Sequence, residues 1–361
     1  MAVPRVIIVG GGVGGVSAAQ QLAKANFADV TVIDRRDYFE IPWSNVRIPV
    51  DPDLINNTTL PLQDVPKVGR VVHASATSVS ETEVQLDNGS SLPFDYLVLA
   101  SGSTWDDPVN SGTDPLLTDR KLNQQRHSAE LKAAGTVLVI GGGAVGVELA
   151  AEVAEAYPEK QVTVVQANKE LVPGYSARLS RQILSVLKSL NVEVLLSEKA
   201  HKLDEQRYKL SPSGRTITAD KVYVCIGGKP NTNFLKAESS RTILDERGFV
   251  KVNNFLQVEG RSNWFALGDI TSLSDYRLGR LAVDQGALVA SHIKTLHGGT
   301  TKLKAWKKHN GIEMIAVSLG RNNGAMALWG WGFSGWLPTW LKSRDLLVGM
   351  TRKNMGLPAV A

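Results

Sequence analysis

The sequence has almost no cysteine. Its 361 residues include only Cys225, which excludes an internal disulfide, a Cys-x-x-Cys redox pair and a metal site built on several cysteines. Electrons handled by this chain therefore cannot pass to a dithiol of its own. The six histidines are scattered, and their spacing matches no metal site.

Long apolar runs are also missing. No stretch of about 18 uninterrupted apolar residues predicts a transmembrane helix, and no basic-then-apolar leader predicts a signal peptide. Position 2 is Ala2, whereas N-myristoylation needs a glycine there. These features predict a cytoplasmic protein, and any contact with a membrane would be peripheral. The composition, 43% hydrophobic and 21% charged, is that of a globular protein, and the length favours two or three domains.

Two dinucleotide-binding fingerprints are the most informative motifs present. Residues 9–15 and 140–146 each place Gly-x-Gly-x-x-Gly directly after an apolar run rich in valine and isoleucine. In such a motif the first glycine allows a sharp turn, the second lets the backbone approach a pyrophosphate, and the third lets the helix pack closely on the strand. The phosphates then meet free N–H groups at a helix N-terminus. The glycines concerned are Gly10, Gly12 and Gly15, then Gly141, Gly143 and Gly146.

The residue that ends the second strand of each unit differs between the two motifs. The first unit ends at Asp34, which predicts an acceptor for a ribose 2′-hydroxyl; alternatively it is a solvated strand-end aspartate. The second ends at Gln166. An amide neither repels a 2′-phosphate nor holds the ribose as a carboxylate would, and Lys169 could assist NADPH. The sequence leaves the choice between NADH and NADPH open.

Three later strand ends complete a family pattern. They are Ala100-Ser101-Gly102, Ile226-Gly227-Gly228 and Leu267-Gly268-Asp269. With the two fingerprints and Asp34, this order resembles the two-dinucleotide flavoprotein reductases of the pyridine nucleotide-disulfide oxidoreductase superfamily, over residues 4–297. The resemblance implies that the first fingerprint binds FAD, that the second binds NAD(P)H, and that Asp269 bonds the FAD ribityl chain. The family usually has Ala-Thr-Gly where this chain has Ala-Ser-Gly.

A narrower resemblance covers nearly the whole chain. It is to the ferroptosis-suppressor and apoptosis-inducing-factor-like flavoproteins, and it implies an NAD(P)H:quinone oxidoreductase acting on lipid-soluble quinones such as ubiquinone or vitamin K at a membrane surface. The animal members begin with a myristoylated glycine, which is absent here. The segments that carry the resemblance are residues 38–43 with Arg47, 157–160, 256–260, 319–322 and 342–346.

Four side chains are candidates for a role beside the flavin. The resemblance places Glu148 near the nicotinamide and the flavin; its alternative role is to compensate a helix macrodipole. Trp43 lies in the loop that the family brings to the flavin, or is ordinary core. Arg47 interrupts an apolar stretch, so a flavin or phosphate contact is predicted, because unpaired burial would be costly. Lys342 would stabilise the anionic reduced flavin, or is a solvated helix end.

The C-terminal segment is basic and rich in tryptophan. Residues 301–361 carry a net charge of +7 while the whole chain carries +5, and they contain five of its eight tryptophans. Tryptophan prefers the membrane–water interface, and lysines near anionic lipid strengthen binding. The segment, with its basic run at 302–308, thus predicts peripheral contact with an anionic membrane or a lipid-droplet surface. The tryptophans are alternatively explained by a homodimer interface or by closure over the flavin.

Together these observations predict an α/β fold with two Rossmann-like dinucleotide-binding domains of the glutathione-reductase type and a small C-terminal α+β module. Residues 1–112 and 238–300 would form the FAD domain, 113–237 an inserted NAD(P)H domain, and 301–361 the module facing the membrane and the quinone.

The predicted function is FAD-dependent NAD(P)H:quinone oxidoreduction, antioxidant and ferroptosis-suppressing. One alternative is a redox-sensing interaction protein like apoptosis-inducing factor, which has a DNA-associated role. Nucleic acid is disfavoured as a partner, because a DNA-binding surface needs many phosphate contacts, whereas the C-terminal segment, called the tail below, is aromatic and rich in glycine. The other alternative is a soluble NAD(P)H reductase of a small electron carrier.

Overall fold

The structure is a computed structural model that describes residues 2–105, 114–236, 242–273, 277–307 and 314–359. The strands are β1 (Arg5–Val9), β2 (Asp29–Asp34), β3 (Tyr38–Glu40), β4 (Thr59–Pro61), β5 (Arg70–His73), β6 (Ala76–Val79), β7 (Glu83–Leu86), β8 (Ser91–Pro93), β9 (Tyr96–Leu99), β10 (Ser103–Thr104), β11 (Thr136–Ile140), β12 (Gln161–Gln166), β13 (Glu193–Leu196), β14 (Lys199–Lys202), β15 (Arg207–Ser211), β16 (Thr216–Thr218), β17 (Lys221–Val224), β18 (Lys229–Pro230), β19 (Trp264–Ala266), β20 (Met314–Ser318), β21 (Gly324–Leu328) and β22 (Trp331–Ser334). The helices are α1 (Val13–Ala25), α2 (Ile55–Thr58), α3 (Leu117–Ala133), α4 (Ala144–Ala156), α5 (Ala177–Ser189), α6 (Gly279–His297), α7 (Trp336–Pro338) and α8 (Val348–Asn354), with a π-helical turn at Thr339–Ser343.

The first fingerprint belongs to a five-stranded parallel sheet in the order β19-β9-β1-β2-β5. Its central strands are buried on both faces, which suits their β-branched composition. Helix α1 packs along α6 so closely that a Cβ atom on Gly286 would lie 2.4 Å from the carbonyl oxygen of Gly14. A side chain at position 286 would therefore separate the two helices.

The second fingerprint belongs to a four-stranded parallel sheet in the order β13-β12-β11-β17. Helix α4 follows β11 directly, as α1 follows β1, and ends at Ala156 before Pro158. Small antiparallel sheets, β6-β7-β8 and β14-β15-β16, accompany the two parallel sheets. The short ladder of β10 with β18 joins the segment after β9 to the segment after β17.

The C-terminal segment forms a three-stranded antiparallel sheet, β20-β21-β22, followed by the short helices. Strand β22 packs on the start of α5, because a Cβ atom on Gly332 would lie 2.7 Å from the backbone nitrogen of Leu179. In the described parts of the chain, every helix is too short or too polar to cross a bilayer.

The predicted fold class is confirmed: two parallel sheets each follow a glycine-rich strand–turn–helix unit, and a small mixed module follows them. The predicted domain limits stay a prediction. The limit at 112/113 lies in residues 106–113 and the limit at 237/238 lies in residues 237–241, and both ranges lie outside the described residues.

Candidate functional site

The first glycine turn has the geometry that a pyrophosphate site requires. Gly10 has φ +115°, and a Cβ atom there would lie 2.3 Å from the carbonyl oxygen of Ala100. A Cβ atom on Gly15 would lie 1.9 Å from the carbonyl oxygen of Gly10, whereas one on Gly12 would meet nothing within 4 Å. The outer glycines are therefore required by packing, and the middle one faces open space where a ligand can approach the backbone.

The second glycine turn repeats this geometry almost atom for atom. Gly141 has φ +111°, and its Cβ atom would lie 2.5 Å from the carbonyl oxygen of Cys225. A Cβ atom on Gly146 would lie 1.9 Å from the carbonyl oxygen of Gly141, and one on Gly143 would meet nothing within 4 Å. Gly227 is exposed in the turn after β17. The chain thus contains two equivalent helix N-termini that are open to phosphate.

The strand-end residues occupy equivalent places but carry different charges. A carboxylate oxygen of Asp34 accepts from the backbone N–H of Gly11 at 2.6 Å, and the other accepts from the backbone N–H of Arg36 at 2.8 Å. The amide oxygen of Gln166 accepts from the N–H of Gly142 at 3.2 Å, and its Nε2 donates to the carbonyl of Glu170 at 3.2 Å. The first site therefore presents an anion to its ligand, and the second presents a neutral amide held at both ends.

A cavity of about 500 Å³ lies over the first glycine turn and reaches the second unit. This volume is within the usual range for cofactor sites. Most of the predicted FAD-binding residues line it: Gly10, Gly12, Asp34, Ser101, Gly102 and Asp269, together with Trp43. Val145 of α4 and Val224 and Cys225 at the end of β17 line it from the NAD(P)H side. The cavity therefore connects the ends of both parallel sheets.

Asp269 is a buried acid on the cavity wall. Burial raises the pKa of Asp269, while the hydroxyl of Ser103, which donates to its Oδ2 at 2.8 Å, and the positive charge of Arg277 act in the opposite direction. Arg277 also lines the cavity and stacks on the ring of Phe249, with its Cζ atom 4.3 Å from the ring centroid. Such a carboxyl group is placed to accept a hydrogen bond from a sugar-like hydroxyl.

Trp43 covers one side of the cavity. Its ring lies on the backbone of Gly279, where a Cβ atom would lie 2.3 Å from the indole Cζ3 atom. The indole Nε1 is buried, and no residue in the described ranges accepts its hydrogen bond. A buried N–H without an acceptor in the protein is costly, so this donor is suited to a ligand. The open backbone at Gly12, the anion at Asp34 and this donor together fit a flavin dinucleotide.

Two of the three predicted catalytic residues, Glu148 and Lys342, contact each other across the fold, and the third is Trp43. The Nζ of Lys342 donates to Oε1 of Glu148 at 2.5 Å and to the carbonyl of Ala316 at 2.9 Å. The same Oε1 accepts from the N–H of Ser318 at 2.9 Å. The pair joins the C-terminal sheet to α4, one turn beyond the cavity residue Val145. Neither of the two side chains lines the cavity itself.

Arg47 has a different role from the predicted one. It is 2% exposed, and its Nε and Nη2 donate to the two carboxylate oxygens of Glu152 at 2.8 and 2.7 Å. Nη2 also donates to the carbonyl of Ser343 at 2.5 Å, and Nη1 donates to the carbonyl of Arg344 at 2.8 Å. These protein groups take four of its five N–H donors, and Arg47 does not line the cavity, so the structure gives it protein partners in place of the predicted flavin or phosphate.

Several buried charges near the site were not identified from the sequence. Glu152 is one, although its spacing of four residues from Glu148 places both on one face of α4. Burial raises the pKa of Glu152, and Arg47 opposes this effect. Arg120, which is fully buried, donates to Glu40 at 2.8 Å. No sequence pattern could have paired them, because the partners are about a hundred residues apart.

The comparisons with known proteins agree with this geometry. The family model described as pyridine nucleotide-disulphide oxidoreductase matches residues 4–286. The chain belongs to this family. It is therefore an NAD(P)H-dependent flavoprotein oxidoreductase, and its two sites take FAD and NAD(P)H. The single cysteine means that the disulphide chemistry in the family's description cannot occur within this chain.

Individual relatives cover most of the chain. Apoptosis-inducing factor homolog B of Dictyostelium discoideum is 32% identical over 89% of this chain and 88% of its own length. Ferroptosis suppressor protein 1 of Mus musculus is 31% identical over 97% of this chain and 95% of its own length. Among solved structures, the sulfide:quinone oxidoreductase of Aquifex aeolicus superposes with a TM-score of 0.81 at 15% identity, over 98% of this chain and 92% of that one. This last similarity concerns the fold alone.

Different residues of the site would hold different parts of the bound cofactors. FAD, when bound, accepts reducing equivalents from NAD(P)H and passes them to an acceptor. Asp34 would hold the adenosine ribose, the N–H groups after Gly12 the pyrophosphate, and Asp269 the ribityl chain. Val145 places the start of α4 on the same cavity, which would bring a bound NAD(P)H toward the flavin. Trp43 restricts the access of water from one side.

We expect Asp34→Asn to weaken FAD binding. The amide retains one acceptor oxygen but loses the charge that strengthens its hydrogen bonds, and such bonds contribute about 1.5–3 kcal/mol, or roughly 10- to 100-fold in affinity. The dissociation constant of FAD, measured with the apoprotein by flavin fluorescence, tests this. Gln166→Glu is the matched control, because it changes the equivalent position of the other site and should leave FAD affinity unchanged. Equal FAD affinity in Asp34→Asn and the wild type would contradict the assignment.

For the nicotinamide site, we expect Gln166→Glu to shift preference toward NADH. A carboxylate beside Gly142 would repel the 2′-phosphate of NADPH and accept a hydrogen bond from the ribose 2′-hydroxyl of NADH. The ratio of the NADPH to the NADH dissociation constant should rise about tenfold or more, which corresponds to about 1.4 kcal/mol. Calorimetric titration with both nucleotides measures the ratio. Lys169→Ala provides a comparison, since it should weaken NADPH without strengthening NADH. An unchanged ratio in Gln166→Glu would show that the ribose binds elsewhere.

Proposed function

We propose that the protein is an FAD-dependent NAD(P)H:quinone oxidoreductase whose acceptor is a lipid-soluble quinone of the ubiquinone or vitamin K type. The observation that carries the proposal is the contact between Lys342 and Glu148. It holds a tryptophan-rich module directly against the helix that begins at the NAD(P)H fingerprint. An apolar acceptor can thus approach the redox site through an apolar part of the protein. The Aquifex neighbour is named for quinone oxidoreduction and the mouse relative for ferroptosis suppression.

Within this function, Lys342 would supply a positive charge where negative charge develops during transfer to the acceptor. Its side chain is 13% exposed, and Glu148 is 4% exposed. A charge so poorly solvated acts more strongly than one in water. Glu148 fixes the orientation of the ammonium group, and the carbonyl of Ala316 fixes it from a second side. Trp43 would complete the wall between the cavity and solvent.

The acceptor step is tested by anaerobic stopped flow with the holoprotein. We reduce the flavin with NADH or NADPH and then mix it with a ubiquinone analogue, with ascorbyl radical or with oxygen. Fast reoxidation by the quinone alone is expected. Lys342→Met should slow reoxidation on the order of 10²-fold, because a preorganised charge is lost, and should change the reduction step little.

Controls separate catalysis from folding in that experiment. Lys342→Met leaves Glu148 buried without its cation, so Lys342→Met/Glu148→Gln removes the uncompensated charge and should restore the melting temperature but not the rate. Reoxidation by ascorbyl radical alone would indicate the soluble reductase of a small carrier. A reduced flavin that persists with every acceptor would indicate the redox-sensing interaction protein.

We further propose that the exposed tryptophans of the tail rest on an anionic lipid surface. Trp329, Trp331, Trp336 and Trp340 are each exposed by at least 62%. A cluster of large exposed apolar side chains marks a contact surface, and tryptophan suits the bilayer interface. The exposed Arg178 lies where β22 packs on α5, since Gly332 abuts its backbone. It would add attraction to anionic headgroups.

The basic run at residues 302–308 contributes less to this proposed lipid-binding surface than the sequence predicts. The side chain of Trp306 packs against the hydrophobic core, and its backbone N–H donates a hydrogen bond to the carbonyl of Asn254 at 2.7 Å. It therefore does not belong to the exposed tryptophan cluster. Lys302, Lys304 and Lys307 are exposed, and Lys308 lies outside the described residues. Reduced quinone formed at a lipid surface would serve the antioxidant, ferroptosis-suppressing role, which is part of the proposal.

Liposome flotation tests the lipid contact. The wild type should float with vesicles containing phosphatidylserine and bind less to neutral vesicles. Trp336→Ser/Trp340→Ser should weaken binding by about tenfold or more, because two indole rings lose their interfacial site. Trp306→Phe is the control, since this ring is partly buried against the core and should not affect flotation. Loss of self-association in the double variant, with flotation unchanged, would identify the cluster as a dimer interface; retention on DNA at physiological salt would favour nucleic acid.

A further inference from the structure

The turn that carries Lys342 is held by a side chain from the opposite end of the sequence. Thr339–Ser343 is π-helical, with the N–H of Arg344 bonded to the carbonyl of Thr339 at 3.2 Å. The carbonyls at the end of a helical turn lack partners within the turn. Here the carbonyls of Ser343 and Arg344 both accept from Arg47 at 2.5 and 2.8 Å. The backbone directly after Lys342 is therefore fixed by the guanidinium group.

The same guanidinium is bound on its other edge by helix α4. It forms a two-pronged ion pair with Glu152, and both side chains are 2% exposed. Glu152 lies one turn after Glu148, which contacts Lys342. The turn is thus tied to α4 at two points, directly through Lys342 and indirectly through Arg47. Two attachments four residues apart on one helix face determine the orientation of the turn as well as its distance.

Arg47 also connects this junction to the cavity. Its N–H donates to the carbonyl of Ser44 at 3.0 Å, so it belongs to the same short coiled segment as Trp43. One arginine therefore joins the cavity wall, the NAD(P)H helix and the turn with Lys342. An arginine can do this because its planar fork offers five donors in fixed directions, whereas a lysine could not serve all the acceptors in the same geometry.

We propose that Arg47 is a positioning residue that locks the π-helical turn 339–343 onto α4 and thereby aims Lys342 at Glu148. The inference rests on the proposed function only in that Lys342 acts during transfer to the acceptor. The docking of the turn can be measured without any acceptor, so a failure of this inference is distinguishable from a failure of the proposed function.

The decisive variants distinguish the bonds of Arg47 to Glu152 from its bonds to the carbonyls of the turn. Glu152→Gln keeps Arg47, its bonds to the carbonyls of Ser343 and Arg344 and an acceptor oxygen on α4, but it removes the counter-charge. The turn should therefore dock less firmly than in the wild type and more firmly than when Arg47 itself is removed. Arg47→Met/Glu152→Met removes the buried charges as a pair, which avoids an uncompensated carboxylate, but leaves those carbonyls without their donor. Arg47→Lys provides a milder change in case the double variant folds poorly. Arg120→Lys is its matched control, because Arg120 is an equally buried arginine paired with a glutamate away from the tail.

Hydrogen exchange of the holoprotein measures the docking. The amides of Arg344 and Leu346, which donate within the turn, should exchange about tenfold faster or more in Arg47→Met/Glu152→Met, because the turn opens more often. Arg47→Lys should raise exchange in the same direction. Arg120→Lys should leave both amides within about twofold of the wild type, and Glu152→Gln should raise their exchange less than the double variant does. Unchanged exchange in the double variant and in Arg47→Lys would overturn the proposal.

Stopped flow then tests whether docking aims Lys342. In the double variant, reoxidation by the ubiquinone analogue should slow by about tenfold or more, while reduction by NAD(P)H stays within about threefold. Faster exchange with unaltered reoxidation would overturn the positioning role, because Arg47 would then hold the tail without affecting Lys342. If the wild type itself is not reoxidised by quinone, the proposed function fails and the exchange result still decides the docking.

Discussion

The burial of two carboxylates on one helix is the constraint on which the arrangement of this protein depends. The side chains of Glu148 and Glu152 are 4% and 2% exposed on α4, and burying an unpaired carboxylate is costly. The two cations come from distant parts of the chain, Lys342 and Arg47. Removal of one partner of such a pair costs about 3–5 kcal/mol, a large share of the roughly 5–15 kcal/mol that stabilise a domain. The tail therefore packs on α4 because the buried carboxylates of that helix need cations from other parts of the chain.

The elements around the two nucleotides could be predicted from the sequence because their determinants are local. An apolar β-branched run followed by three glycines at fixed spacing allows few conformations, and both turns have the expected one. Helix α1 begins at Val13 and α4 at Ala144, each directly after its glycine turn. Asp34 also follows from local sequence, since it ends β2 at the cavity, whereas Asp269, in the turn after β19, is predicted from the family resemblance.

What the sequence could not give is the set of partners that lie far apart along the chain. Arg47 illustrates the limit. Its apolar neighbours correctly indicate burial, and burial requires a counter-charge, but nothing near position 47 indicates that this counter-charge is Glu152 rather than a phosphate. Trp306 shows the converse. Its lysine neighbours suggest an exposed interfacial ring, yet the ring packs against the core. In both cases tertiary contacts outweigh local composition.

The single cysteine makes the acceptor an external molecule. Cys225 lines the cavity but has no second thiol to pair with, so reducing equivalents that reach the site cannot be stored in a disulfide of the chain. They must leave on something that diffuses to the site. The first glycine turn and Asp34 line one side of the cavity, and Val145 of α4 lines another, one turn before Glu148 and its contact with Lys342. In the proposed function a quinone would accept electrons near this end of α4, because its oxygens gain negative charge on reduction and the ammonium group of Lys342 would stabilise that charge.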